Sequence, residues 1–218
     1  MDAVVNLGDH LSGPLWPEET VHFLMRQDWI QISGNHDRQL IRQDPGAHGP
    51  SDRYAFNLLH ETEKEWLRSL PASLRMDGSV FLFHGTPFSD SEYLLETIEH
   101  GRTRLASHGE IRGRLGPARS SVMLCGHTHV QRVVDMGDSV MIVNPGSVGL
   151  PAYEDDSPEP HVVETGSPHA RYALLKYDRG WTVELIMVPY DFHKAADQAL
   201  KNGRPDWATA LQTGFMRP

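Results

Sequence analysis

Four short blocks set metal-competent side chains beside glycine: Gly8-Asp9, Gly34-Asn35-His36-Asp37, His84-Gly85 and Gly126-His127-Thr128-His129. Carboxylate, amide oxygen and imidazoles make a mixed hard and borderline ligand set, suited to Mn, Fe, Zn or a similar divalent ion. Glycine beside a ligand lets the chain turn sharply off a strand and lets backbone approach an ion closely. Asp9 has two oxygens and could bridge two cations, although Gly8-Asp9 taken alone reads as a turn. The neutral Asn35 oxygen would bind a cation without quenching its Lewis acidity. His36 would then face a leaving group as proton donor, with Asp37 holding its imidazole in one tautomer and raising its pKa. His84 by itself reads as a hydrogen-bonded strand-end histidine, and its weight comes from its company. In an extended stretch His127 and His129 share one face and reach neighbouring cations.

Each block follows an apolar run that reads as a strand: Ala3–Leu7, Trp29–Ser33, Val80–Phe83 and Val122–Cys125. Helices are expected at Pro17–Arg26, where proline and acids suit a first turn, at Thr62–Leu70 with a Thr62/Glu65 capping box, and at Glu92–Glu99, Gly109–Leu115 and Phe192–Leu200. Asp77-Gly78 predicts a hairpin between Leu74–Met76 and Val80–Phe83. Further hairpins are expected across Gly137-Asp138 and across Asp178-Arg179-Gly180. Arg38–His60 reads as an irregular excursion, Tyr153–Pro168 as an acidic, mobile loop, and the chain after Asn202-Gly203 as a weakly specified tail. Early strands separated by helices and late strands paired as hairpins predict mixed sheets with helices outside. Ligands then collect beyond the carboxyl ends of strands, where all four blocks sit.

The chain of 218 residues is of single-domain length, and 39% apolar content supports a core. A formal charge of −9 argues against a polynucleotide groove but not against a small phosphorylated substrate, because bound cations reverse the field locally. The single cysteine, Cys125, fits a reducing, cytoplasmic setting. No stretch is long and apolar enough to span a bilayer, and no secretion signal is evident. His10 reads as part of a solvated loop, and Phe88, Tyr93 and Tyr153 as pocket lining or ordinary packing.

The order and chemistry of the four blocks resemble the calcineurin-like metallophosphoesterases, specifically their small bacterial phosphodiesterase-type members, from Ala3 to about Tyr190. The resemblance implies an α+β fold, a four-layer α-β-β-α sandwich of two mixed sheets flanked by helices. Residues 1–191 would form that domain, with 192–218 as a C-terminal helix and tail packed on it. The resemblance further implies two divalent ions (Mn, Fe, Zn, Ni or Mg). Asp9 would bridge both ions, Asn35, His84 and His127 would complete the second, and His129 would bind the first. His36 would be the acid or electrostatic stabiliser at the leaving group. A water or hydroxide shared by the ions would attack a phosphodiester. A phosphomonoesterase, including a protein phosphatase, uses the same constellation, and a single-metal scaffold is the rival from another class. Asn144-Pro145-Gly146-Ser147 matches a segment that packs beneath the family's site. One piece of the pattern is absent: the family opens on a strand ending in Asp-x-His, beside the counterpart of Ala3–Leu7. The first ion is therefore expected to keep only Asp9 and His129, Ala3–Leu7 to have an exposed edge, and this chain to be an incomplete version of a longer one.

Overall fold

The computed structural model describes residues 2–137 and 139–217. At its centre is a mixed five-stranded sheet, in the spatial order β3 (Ser73–Met76), β4 (Val80–Phe83), β7 (Val122–Leu124), β9 (Met141–Asn144), β8 (Arg132–Asp135). β4, β7 and β9 run parallel, in register at Leu82, Leu124 and Val143. Every residue of β4 and β7 is buried, as expected for parallel strands covered on both faces. One face packs Phe81, Phe83, Met123 and Ile142 against Ile111 and Leu115 of helix α5 (His108–Leu115). The other packs Leu82, Leu124 and Val143 against two separate ribbons. One ribbon is parallel, β1 (Val5–Asn6) with β2 (Ile30–Gln31). The other is the antiparallel hairpin β12 (Ala170–Tyr177) with β13 (Trp181–Val188). Helices α1 (Pro17–Leu24), α2 (Asn35–Arg42), α3 (Pro50–Leu58) and α4 (Glu61–Ser69) gather round a core of their own that includes Val21, Leu40, Ala55 and Leu67.

This is the expected mixed α/β sandwich, with one departure in its second sheet. Among the described residues, β1 and β12 are not paired with each other, and both border a groove of about 2620 Å³ that continues to the ends of β4 and β7. Leu7, Val80, Leu124, Met141 and Leu175 line it. The edge expected on Ala3–Leu7 is therefore a wall of this groove.

Three stretches depart from expectation. Residues 38–60 are largely helical, because Pro45 opens a short 3-10 turn capped by Asp44 and Pro50 occupies the first turn of α3. A proline there costs no hydrogen bond. The expected helix at Glu92–Glu99 is instead strand β5 (Glu96–Glu99), which pairs with β6 (Arg102–Leu105). The turn between them puts both His100 and Gly101 at positive φ, the backbone that a two-residue hairpin demands. The acidic loop is a hairpin of β10 (Ala152–Asp155) and β11 (His161–Glu164), and β11 also pairs in parallel with β6. Its composition reflects the turn, whereas its Val163 is core.

Smaller differences follow the same logic. Helix α4 starts at Glu61 behind His60, which makes no side-chain cap, so Thr62 and Glu65 form no capping box. The hairpins at Asp77-Gly78 and at Asp178–Gly180 form as expected. Strands β8 and β9 also pair, although Asp138 of their turn lies outside the described residues. The tail is ordered as α7 (Pro205–Thr213), packed on α6 (Phe192–Lys201) through Ala195, Ala199 and Leu211. The Asn202 amide donates to Pro14 O at 2.7 Å, and Arg204 Nη1 donates to Ser51 Oγ at 2.6 Å.

Candidate metal centre

The carboxyl ends of β1, β2, β4 and β7 converge, and each carries one of the four blocks. Close backbone approach makes this possible. A Cβ on Gly8 (φ +103) would lie 2.7 Å from Gly34 Cα and 2.9 Å from His84 Nδ1. Asp9, His127 and His129 themselves adopt positive φ, of 58°, 66° and 61°.

Ligand atoms of Asp9, His84 and His127 lie within 4.8 Å of one another. Asp9 Oδ2 and Asn35 Oδ1 are each 3.1 Å from His84 Nε2. Four sequence-predicted ligands are thus brought together. His129 stands outside this tight group but within electrostatic reach of Asp9. His84 Nδ1 donates to Leu7 O at 2.6 Å and His129 Nδ1 to Leu150 O at 2.8 Å. Both imidazoles therefore turn Nε2 toward the site, the nitrogen left for a metal, which at His84 would displace the proton shared with Asp9. One carboxylate, one amide oxygen and two or three imidazoles around one point fit a divalent cation.

The electrostatics agree. Burial opposes charge on Asp9, but His84, His36 and His127 together hold its carboxyl well below the usual range. Burial pushes His127 down to about 3 and His129 down to about 4, so both are neutral near pH 7. Burial also opposes the charged forms of His36 and His84, yet Asp9 overcomes it at both; with help from Asp52, His36 rises to about 9.

The metal-stripped protein should consequently have a stability maximum. Above the unfolded value of 6.5, folded His36 and His84 hold protons that the unfolded chain has released, so stability falls as pH rises through about 9. Below 6.5, the unfolded chain takes up protons that His127 and His129 refuse until about 3 and about 4, so stability falls again. The thermal midpoint without metal is expected to peak near pH 6.5, the common unfolded value. A midpoint climbing steadily from neutral to alkaline pH would contradict these charge assignments.

Two sequence expectations need correction. Asp37 does not hold His36. Its carboxylate accepts the backbone N–H groups of Asp9, His10 and Gly34 at 2.8, 2.9 and 2.9 Å, and His10 Nδ1 donates to it at 2.8 Å. Asp37 thus ties the β1 loop to the start of α2. His10 is part of that tie and has a fully buried side chain rather than lying in a solvated loop. The partner of His36 is Asp52, whose Oδ1 accepts from His36 Nδ1 at 3.0 Å and from Ser12 Oγ at 2.6 Å. Nothing local in the sequence marks Asp52, which sits in the first turn of α3 and meets His36 only through packing. Tyr93 and Tyr153 pack in T-shaped contact with His127 and His129 respectively, whereas Phe88 is largely exposed. Asn144 lies beneath the Gly126–His129 turn and donates to Gly126 O at 2.7 Å.

The likeness to known proteins agrees with this geometry. An uncharacterised protein of Methanocaldococcus jannaschii is 22% identical over 92% of this chain and 82% of its own length. A metallophosphoesterase from Sphaerobacter thermophilus shares the fold at TM-score 0.74 and 24% identity, over 99% of this chain and 90% of that one. A hypothetical protein from Pyrococcus horikoshii OT3 does so at TM-score 0.72 and 19% identity, over 99% and 86%. Residues 1–167, which include every block of the site, match the calcineurin-like phosphoesterase superfamily domain, and the chain belongs to that superfamily.

Proposed function

We propose that this chain hydrolyses phosphodiesters with two divalent ions. The observation that carries the reading is the convergence of Asp9, Asn35, His84 and His127 on one point, with His36 following Asn35 at the start of α2. Bound there, divalent ions would lower the pKa of an attacking water and neutralise charge on the phosphoryl oxygens. The protein's own groups do the rest. Asp9 supplies the negative charge that gathers the cations. Asp9, Asn35, His84 and His127 would hold one ion, and Asp9 and His129 would contribute to the other. His36, fixed at Nδ1 by Asp52, delivers its remaining proton to the departing alcohol.

The second ion has fewer protein ligands among the described residues. Preference for diesters is proposed from the resemblance to the small bacterial members, and a small substrate rather than a polynucleotide from the formal charge of −9. No helix among the described residues is long and apolar enough to cross a membrane; a cytoplasmic setting is proposed from the lone, buried Cys125.

Metal-dependent release of nitrophenol from bis-nitrophenyl phosphate, faster than from the mono-ester, is the expected result. The reverse preference would make the chain a monoesterase, and release from neither would leave a binding scaffold. The acid role has its own test. His36→Ala should slow an ester with a poor leaving group by about 10²–10⁴-fold and an activated nitrophenyl ester far less. Asp52→Asn should show the same asymmetry more weakly. Equal losses on both esters would remove the proton-donor role.

A further inference from the structure

The turn that carries His127 and His129 is an unusual piece of backbone. Both histidines are left-handed, with φ of 66° and 61°, a region that side chains with a Cβ seldom occupy. Thr128 between them bonds locally only through its N–H, to Gly126 O at 2.8 Å. What holds this conformation must come from elsewhere in the fold.

The Thr128 side chain supplies the link. It is buried, and its hydroxyl is used in both directions. Oγ1 donates to Glu96 Oε2 at 2.8 Å and accepts from Asn144 Nδ2 at 3.0 Å. The Glu96 side chain is fully buried. Its other oxygen accepts from Arg132 Nε at 2.9 Å. Its backbone carbonyl accepts from Arg114 Nη1 at 2.9 Å, and the same nitrogen donates to Leu94 O at 3.0 Å. Glu96 begins β5, Arg132 begins β8, Asn144 ends β9 and Arg114 lies in α5. Three strands from two different sheets, β5, β8 and β9, thus converge through one carboxylate and one amide on a single threonine hydroxyl, while α5 holds the main chain of Glu96. A buried carboxylate is costly, and a hydrogen bond to it is among the strong ones. Here that bond is spent on the residue between two imidazoles of the site.

We infer that Glu96, acting through the Thr128 hydroxyl, is a positioning residue that holds the His127–His129 turn in its metal-ready shape. Neither residue reaches an ion or substrate, and the inference rests on the metal-site reading above. The plain alternative is that Glu96 and Arg132 only fasten one sheet to the other. In that case Thr128 is a space-filling core residue, and the affinity of the site for metal does not depend on its hydroxyl.

The test is titration of the metal-stripped full chain with Co(II), followed by calorimetry and by visible absorption, which reports ligand geometry. Wild type, Thr128→Ser, Thr128→Val and Glu96→Gln are compared, each checked for folding by circular dichroism. Thr128→Val keeps the volume and loses the hydroxyl, and Thr128→Ser keeps the hydroxyl. We expect Thr128→Val and Glu96→Gln to weaken Co(II) binding by about 10–100-fold, the usual scale for outer-shell partners, with a shifted absorption band. Thr128→Ser should stay close to wild type. A folded Thr128→Val with wild-type affinity, or a Thr128→Ser as impaired as Thr128→Val, overturns the inference and leaves the metal site standing. Failure of both Thr128→Val and Glu96→Gln to fold also overturns it, in favour of the sheet-fastening role. Wild type that binds no Co(II) overturns the metal reading itself, and this inference with it.

Discussion

Asp9→Asn should abolish metal binding at the clustered site and lower phosphoester turnover by about 10³-fold, the upper scale for losing one preorganised electrostatic group. Among the described residues, Asp9 supplies the only carboxylate of the ligand atoms that lie within 4.8 Å of one another there. Without it, a doubly charged ion would meet an amide and imidazoles, all neutral. The substitution is a clean one. Asp9 occupies the left-handed region at φ 58°, which asparagine tolerates better than most residues. Its Oδ1 accepts the His36 N–H at 2.9 Å, a bond that an amide oxygen can still accept. The variant should therefore fold, and its loss reports charge rather than shape. Metal content by mass spectrometry, with turnover of a nitrophenyl ester, checks this. Wild-type metal content in the folded variant would sink the assignment.

Gly34→Ala should do comparable harm by a different route. The Gly34 backbone, at φ −95° and ψ −177°, is open to any residue, so no conformational strain enters. The obstacle is space. A Cβ at Gly34 would collide with Asp9 Oδ1 and stand 2.6 Å from Asp9 N, and neither can move without dragging the β1 loop off Asp37. Forcing extra volume into such a contact costs about 1–3 kcal/mol, and Asp9 is displaced as well. A fall in thermal midpoint together with loss of metal binding is expected. Gly180→Ala is the control, since nothing lies within 4 Å of a Cβ there and the position is exposed, and it should change stability by no more than about 0.5 kcal/mol. Equal behaviour of the two variants would mean that the β1 and β2 loops do not meet as described.

The histidine-rich blocks were legible because their signal is local. A ligand at a strand end needs an apolar run before it and a glycine beside it, and both lie within a few residues of Asp9, Asn35, His84 and His127. Where local signals conflicted, sequence reading went astray. Pro45 and Pro50 read as breakers but start helical turns. Glu92–Glu99 carried helix-forming acids, yet its second half became a strand through pairing with Arg102–Leu105. The acidic residues near Pro158 masked the strand at His161–Glu164, which is settled by its neighbours on either side.

The sequence by itself determined the ligand types, their order along the chain and the strands that deliver them, because strand patterning and glycine turns act over short spans of backbone. Only the tertiary structure decided which acid serves which histidine. Asp37 stands next to His36 in the chain but binds the β1 loop, while Asp52, sixteen residues on, takes the imidazole. Glu96 reaches Thr128 from 32 positions away. A side-chain hydrogen bond is set by where two elements pack, over a few ångströms of space, and sequence separation carries no trace of that distance.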